Sequence, residues 1–258
     1  MSTYGISKSF SGKQNAGPGD ALCRKASAGR HPPFGVHRTV DCGRQKGKIT
    51  ERSASVCRMF GLTADRLKKN NFSVSCQLEI NAGDIVYITG PSGAGKSVLL
   101  RELEKSVPAA DSINLARIKL PKDKAVVDCI DARPAAEPKD DFLCCLRTLS
   151  TAGLNDVFCV LNQPGNLSEG QQYRFRLAMA LAAEKKFIFA DEFCSTLDRI
   201  TAAVISHNIH KFAKRHNVTF VLASSHDDIL LDLAPDVLVV RELAGDTQVI
   251  YKKSEFRS

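Results

Sequence analysis

The chain has 258 residues, 43% of them hydrophobic and 25% charged, with nine cysteines and a formal net charge of +8 at pH 7. That length allows one sizeable core or two small ones, and the balance excludes disorder throughout. No run approaches the roughly 18 to 20 consecutive apolar residues of a membrane-spanning helix, and the N-terminus lacks the apolar core of a secretory signal, so the chain reads as cytoplasmic.

The cysteines contain no CxxC pair, and several sit inside apolar stretches such as VVDCI and DVFCVL, where a reduced thiol packs as a small hydrophobe. This argues against a disulfide framework. Charge is unevenly placed: residues 1–70 hold 14 Lys+Arg against 4 Asp+Glu, a balance of +10, and the remainder holds 22 against 24, a balance of −2. Residues 1–54 are rich in Gly, Ser, Pro, Lys and Arg, without helical or alternating periodicity, and are expected to form a basic, disordered arm. The arm reads either as electrostatic capture of nucleic acid or another polyanion, or as a solvated tail. Its Cys23, His31, His37 and Cys42 lack the close spacing of a compact zinc module.

From residue 72 the pattern changes. FSVSCQLEI alternates like a half-buried strand, and IVYIT is a β-branched strand running directly into Gly90. The loop Gly90, Pro91, Ser92, Gly93, Ala94, Gly95, Lys96, Ser97, followed by Val98 and an apolar helix, has the form GxxxxGK[ST]. In that pattern the glycines let backbone N–H groups wrap phosphate oxygens, Lys96 reaches the terminal phosphates and Ser97 offers its hydroxyl to Mg²⁺. The helix opening near Gly95 adds its positive dipole end.

Further along, KAVVDCIDARPAAEP reads as a mid-chain strand. The amphipathic helix DDFLCCLRTLSTAGL places Phe142, Leu143, Leu146 and Leu149 on one face, read as packing rather than docking. The run LSEGQQYRFRLAMALAAEKK opens a helix at Ser168, with Tyr173, Leu177, Ala180 and Leu181 at helical spacing. Then KKFIFADEF is a buried strand ending in two carboxylates. Asp191 suits a metal, and Glu192 is placed to orient and deprotonate an attacking water. His207 and His210, three apart in RITAAVISHNIHKFAKRHN, read as part of an ordinary amphipathic helix.

In this order the motifs resemble those of the ABC-type ATPases, over about residues 55–250. LSEGQ is similar to their signature LSGGQ with Glu169 in place of a glycine, STLD (Ser195 to Asp198) stands where their D-loop follows the catalytic glutamate, and His226 follows the strand VTFVLASS at the place of their switch histidine. The resemblance implies that Gly90 to Ser97 hold ATP, Asp191 serves Mg²⁺, Glu192 is the catalytic base and His226 senses the γ-phosphate. It further implies that Ser168 and Gly170 meet the ATP held by a second copy, so that ATP closes a homodimer, with Asp198 in the D-loop and Phe60 either stacking on adenine or packing in the core. The family's coupling glutamine has no counterpart after the mid-chain strand, and Gln163, five residues before Ser168, is not assigned that role. SEGQQYRFRLAMALA, ADEFCSTLDRITA and SSHDDILLDLAPDVLV look similar to soluble ABC-type ATPases that elsewhere occur fused to a predicted acetyltransferase domain.

The expected architecture is therefore an α/β P-loop fold over residues 55–258: a mixed sheet with a parallel core, a small antiparallel portion built from residues 55–90, and a reduced helical subdomain near 130–175. The expected reaction is Mg²⁺-dependent ATP hydrolysis. Its first expected use is a soluble ATPase acting on nucleic acid or a nucleoprotein through the arm. The alternatives are the ATP-binding subunit of a membrane transporter, and a slow nucleotide-dependent switch.

Overall fold

The computed structural model of the protein describes residues 50–61, 76, 78–130, 138–243 and 247–252. Most of the basic arm and its Cys and His residues therefore lie outside the described residues. The expected boundary at residue 54 falls within a helix, α1 (Glu51–Met59), which is capped by Thr50 through the Ser53 N–H and buries none of its residues.

Among the described residues, six strands make one sheet. In chain order they are β1 (Ile85–Thr89), β2 (Ser112–Asn114), β3 (Phe187–Ala190), β4 (Thr219–Ala223), β5 (Val237–Arg241) and β6 (Thr247–Tyr251), and in space β2-β3-β4-β1-β5-β6. The first five are parallel; β6 runs antiparallel to β5. The mixed sheet with a parallel core is thus as expected, and among the described residues its antiparallel pair lies at 237–251; part of the expected antiparallel portion at 55–90 falls on residues 62–75 and 77, which lie outside the described residues. Within FSVSCQLEI, residues 78–80 form no ladder, although Leu78 and Ile80 are buried and Glu79 is exposed. Alternation reports burial on one side; it does not by itself report a hydrogen-bonded neighbour.

Because successive strand residues point to opposite faces, the sheet has two cores. One face carries Val86, Ile88, Phe189, Val221, Ala223 and Val239 against Leu99, Leu100 and Leu103 of α2 (Lys96–Lys105). The other carries Ile85, Tyr87, Ile188, Phe220 and Leu222. It packs on α5 (Glu169–Ala182) through Phe175, Leu177, Ala178 and Leu181, and on α6 (Arg199–His216) through Ala202, Ile205, Ile209 and Ala213. The helical spacing read around Leu177, Ala180 and Leu181 is realised as this buried stripe. Asn217, at φ +54, ends α6 in the left-handed conformation that asparagine tolerates.

The segment 124–130 is a single 3₁₀ turn, Val126–Cys129, and not a strand. On its side away from β4, β3 pairs with β2, and the stretch that follows β2, residues 115–124, contains no glutamine. The helical subdomain consists of that turn, α3 (Pro138–Thr151), α4 (Val157–Leu161) and the start of α5. In α3 the inward residues are Cys145 and Leu149, whereas Phe142 and Leu143 are exposed, so the expected four-residue packing face is not formed. The thiol of Cys145 donates to the Val127 carbonyl at 3.3 Å, so the buried side of the helix meets the 3₁₀ turn. The short helix α7 (Leu230–Leu233) closes onto α6, where His210 Nδ1 meets the Leu233 carbonyl at 2.9 Å.

Candidate functional site

Register brings the motif residues to one edge. Ala190 pairs with Leu222 and Ile88 with Ala223, so Asp191 leaves β3 level with the last residue of β4. Backbone bonds from Phe193 N–H to the Ala223 carbonyl (2.8 Å) and from Ser224 N–H to the Ile88 carbonyl (3.1 Å) knit these carboxyl ends together. This is where open parallel sheets bind ligands, because the chain must there leave one strand and cross to the next.

The loop between β1 and α2 turns on glycines at positive φ, of which Gly90 and Gly95 sit against Arg241. Gly95, the N-cap of α2, has φ +85. Gly90 has φ +139, and a Cβ placed on it would lie 2.1 Å from the Arg241 carbonyl oxygen. The Lys96 ammonium curls back to donate to the Gly90 and Pro91 carbonyls at 2.7 and 2.9 Å. Ser97 Oγ donates to Asp191 Oδ1 at 3.0 Å, and the same carboxylate oxygen accepts the Glu192 N–H at 3.2 Å. Ser92, Gly93, Gly95, Lys96, Ser97, Val98, Asp191, Glu192, Ser195, Ala223, Ser224 and Ser225 line a single cleft of about 390 Å³. Glu192 and Cys194 hold positive φ, +51 and +58, the geometry of a tight loop that lifts the Glu192 side chain into solvent at the cleft rim.

Other expected residues do not line this cleft. His226 lines an adjoining pocket of about 210 Å³ with Cys194, Leu197, Arg199, Ala202, Asp228 and Ile229. Its N–H donates to Ser224 Oγ at 3.3 Å, and its carbonyl accepts the hydroxyl of Tyr87, which lies fully buried on β1. Burial pushes the Tyr87 phenol up to about 12, so it remains a donor at neutral pH. Thr89 fixes the next residue by donating to the Asp227 carboxylate. Ser168 caps α5 in a reciprocal box with Gln171, and a Cβ on Gly170 would approach Leu197 and the Thr196 carbonyl at 3.3 and 3.4 Å. The glycine of the LSEGQ run is therefore where α5 passes against the loop 195–198. Asp198 caps α6; its bonds from Thr201 hold its carboxyl below the usual range. Phe60, at the end of α1, is 70% exposed and lines neither cavity.

Four contributors escaped the sequence reading. Ser224 and Ser225 line the cleft, and their signal was the SS pair directly ahead of His226. Tyr173 accepts the Cys194 N–H at 3.0 Å and so supports the loop after Glu192; burial raises its phenol well above the ordinary range. Tyr87 lies inside the strand IVYIT, where nothing in the local sequence marks it apart from its neighbours.

A glycine loop closing onto a helix N-terminus, with a lysine inside it and a carboxylate from the neighbouring strand on its serine, is the site of a P-loop nucleotide hydrolase. The family profile described as ABC transporter matches residues 74–195. The aliphatic sulfonates import ATP-binding protein SsuB 2 of Nocardia farcinica is 30% identical over 184 residues, covering 67% of this chain and 75% of that protein. The phosphonates import ATP-binding protein PhnC of Lactococcus lactis is 26% identical over 201 residues, covering 64% and 81%. The dimeric structure of the bacterial ABC transporter cassette MJ0796 has the same fold, with a TM-score of 0.57 at 21% identity over 70% of this chain and 90% of that one. The chain belongs to the ABC transporter family: it is an ATP-binding cassette and an ATPase.

Proposed function

We propose that this chain is the ATP-hydrolysing subunit of a membrane import assembly, working as two copies that close around ATP. The observation that carries this reading is the outward face of the helical subdomain, together with the import ATP-binding proteins among its relatives. Helices α3 and α4 both pack on the 3₁₀ turn at 126–129, and outward they present Phe142 and Leu143, and Val157, Phe158 and Leu161. Phe158 is 85% exposed. Large apolar groups left in water on one subdomain are the usual mark of a surface that a partner covers. No helix among the described residues is long and apolar enough to cross a membrane.

Within the cleft, the loop N–H groups from Gly90 to Ser97 and the Lys96 ammonium hold the phosphates, Lys96 first leaving the Gly90 and Pro91 carbonyls. Ser97 Oγ and Asp191 Oδ1 are adjacent hard oxygen donors at an open rim, a set that fits Mg²⁺ and would hold it. Bound there, Mg²⁺ would neutralise charge on the phosphate oxygens. Glu192 orients the attacking water and takes its proton. His226 meets the γ-phosphate once the loop carried by Tyr87 and Ser224 closes. Ser168 and Gly170 present the N-terminus of α5 to the nucleotide of the second copy, with Asp198 alongside. Phe60 offers its exposed ring to adenine.

The basic segment, 14 Lys+Arg against 4 Asp+Glu over residues 1–70, favours a second reading in which the engine acts on nucleic acid. The test is crosslinking of the tagged chain in its own host. A multi-span membrane protein should be recovered with the wild type and lost with Phe158→Glu, while ATP turnover stays unchanged. Recovery insensitive to that substitution, or salt-dependent binding to DNA without a membrane partner, would overturn the import reading.

A further inference from the structure

Arg241 is the largest fully buried side chain in the described residues, at 0% exposure. It ends β5, on a strand whose other buried residues, Val237 and Val239, are aliphatic. An arginine cannot shed its proton to suit such a place, so it persists only where its donors are used. Two of them are aimed at specific atoms. Nε donates to the Ala94 carbonyl at 3.1 Å, and Nη1 donates to Thr247 Oγ1 on β6. A Cβ on Gly95 would touch Nη2 at 3.4 Å, and the Arg241 backbone carbonyl occupies the space beside Gly90. One residue thus underlies the phosphate loop at its first, fifth and sixth positions.

We propose that Arg241 is a positioning residue for ATP, acting by fixing the Ala94–Gly95 peptide of the phosphate loop. In a trans peptide the carbonyl and the following N–H point in opposite directions. Anchoring the Ala94 oxygen toward β5 turns the Gly95 N–H away from β5, and Gly95 lines the cleft while Ala94 is buried. Thr247 holds the guanidinium from the far side, so the antiparallel strand β6 has a part in ATP binding although none of its residues lines the cleft. A donor aimed before the ligand arrives costs no reorganisation when the phosphate binds. The inference rests on the reading of residues 90–97 as a phosphate loop.

Isothermal titration of the full chain with ATP and with AMP tests it in the wild type, Lys96→Ala, Arg241→Met, Arg241→Lys and Thr247→Val. Loss of ATP binding in Lys96→Ala establishes the phosphate loop; if Lys96→Ala binds ATP as the wild type does, that reading fails and this proposal falls with it. In Arg241→Met the preference for ATP over AMP should fall by about tenfold, the scale of one hydrogen bond from a charged donor. Arg241→Lys should recover part of it. An Arg241→Met protein that melts lower but keeps the wild-type ratio of ATP to AMP affinity has lost only a packing residue, and refutes the proposal. If Arg241→Met does not fold, Thr247→Val decides: a smaller fall in the same ratio supports the role, and an unchanged ratio overturns it.

Discussion

Adding one methyl group at Gly90 tests the geometry of the site most directly. The new Cβ of Gly90→Ala would stand 2.1 Å from the Arg241 carbonyl oxygen, about 1.3 Å short of the 3.4 Å where ordinary contact begins. The obstacle cannot yield easily, because it is backbone of β5, itself paired on both sides by β1 and β6. The loop must therefore move, and a displacement of about 1 Å of groups that hold a reacting phosphate costs about 100-fold in rate. The left-handed φ of +139 adds strain of about 1 to 3 kcal/mol for a residue with a side chain. Steady-state phosphate release should fall by about 100-fold, with denaturant unfolding showing a loss of about 1 to 3 kcal/mol. A Gly90→Ala protein that hydrolyses ATP at the wild-type rate would refute the idea that this loop is held in place by the edge of β5.

Two further substitutions probe the acidic loop. Glu192→Gln keeps the shape of the side chain but removes the proton acceptor, so ATP-bound dimers should accumulate; light scattering that finds monomers at saturating ATP contradicts the two-copy site. Tyr173→Phe strips the acceptor from the Cys194 N–H in a loop already at positive φ, and should cost about 1 to 3 kcal/mol while speeding hydrogen exchange across residues 192–198. Exchange unchanged from wild type there would mean that the loop holds its shape without Tyr173.

The elements most legible in the sequence were those whose side chains answer to local chemistry. The stripe of α5, the strand into Gly90 and the carboxylates after β3 each follow from spacing within a dozen residues, and each stands where it was expected. The errors share a cause. KAVVDC has the β-branched content of a strand, yet it meets no partner edge and coils into a 3₁₀ turn, while the three residues of β2 pair with β3 because the sheet has an open edge there. Likewise, Phe142 and Leu143 have the right hydrophobicity to be core, but only one face of α3 meets the rest of the subdomain, and Cys145 and Leu149 occupy it.

By itself the sequence determined the chemistry: which residues can grip phosphate, accept a proton or cap a helix, since those capacities belong to side-chain types at short range. Tertiary structure alone decided which of them share a cleft. Register sets Asp191 level with Ala223, a buried arginine some 150 residues away along the chain donates to the Ala94 carbonyl of the glycine loop, and Tyr87 holds the His226 carbonyl. Such contacts depend on which strands lie side by side, and strand adjacency is fixed by packing of the whole sheet rather than by any short stretch within it.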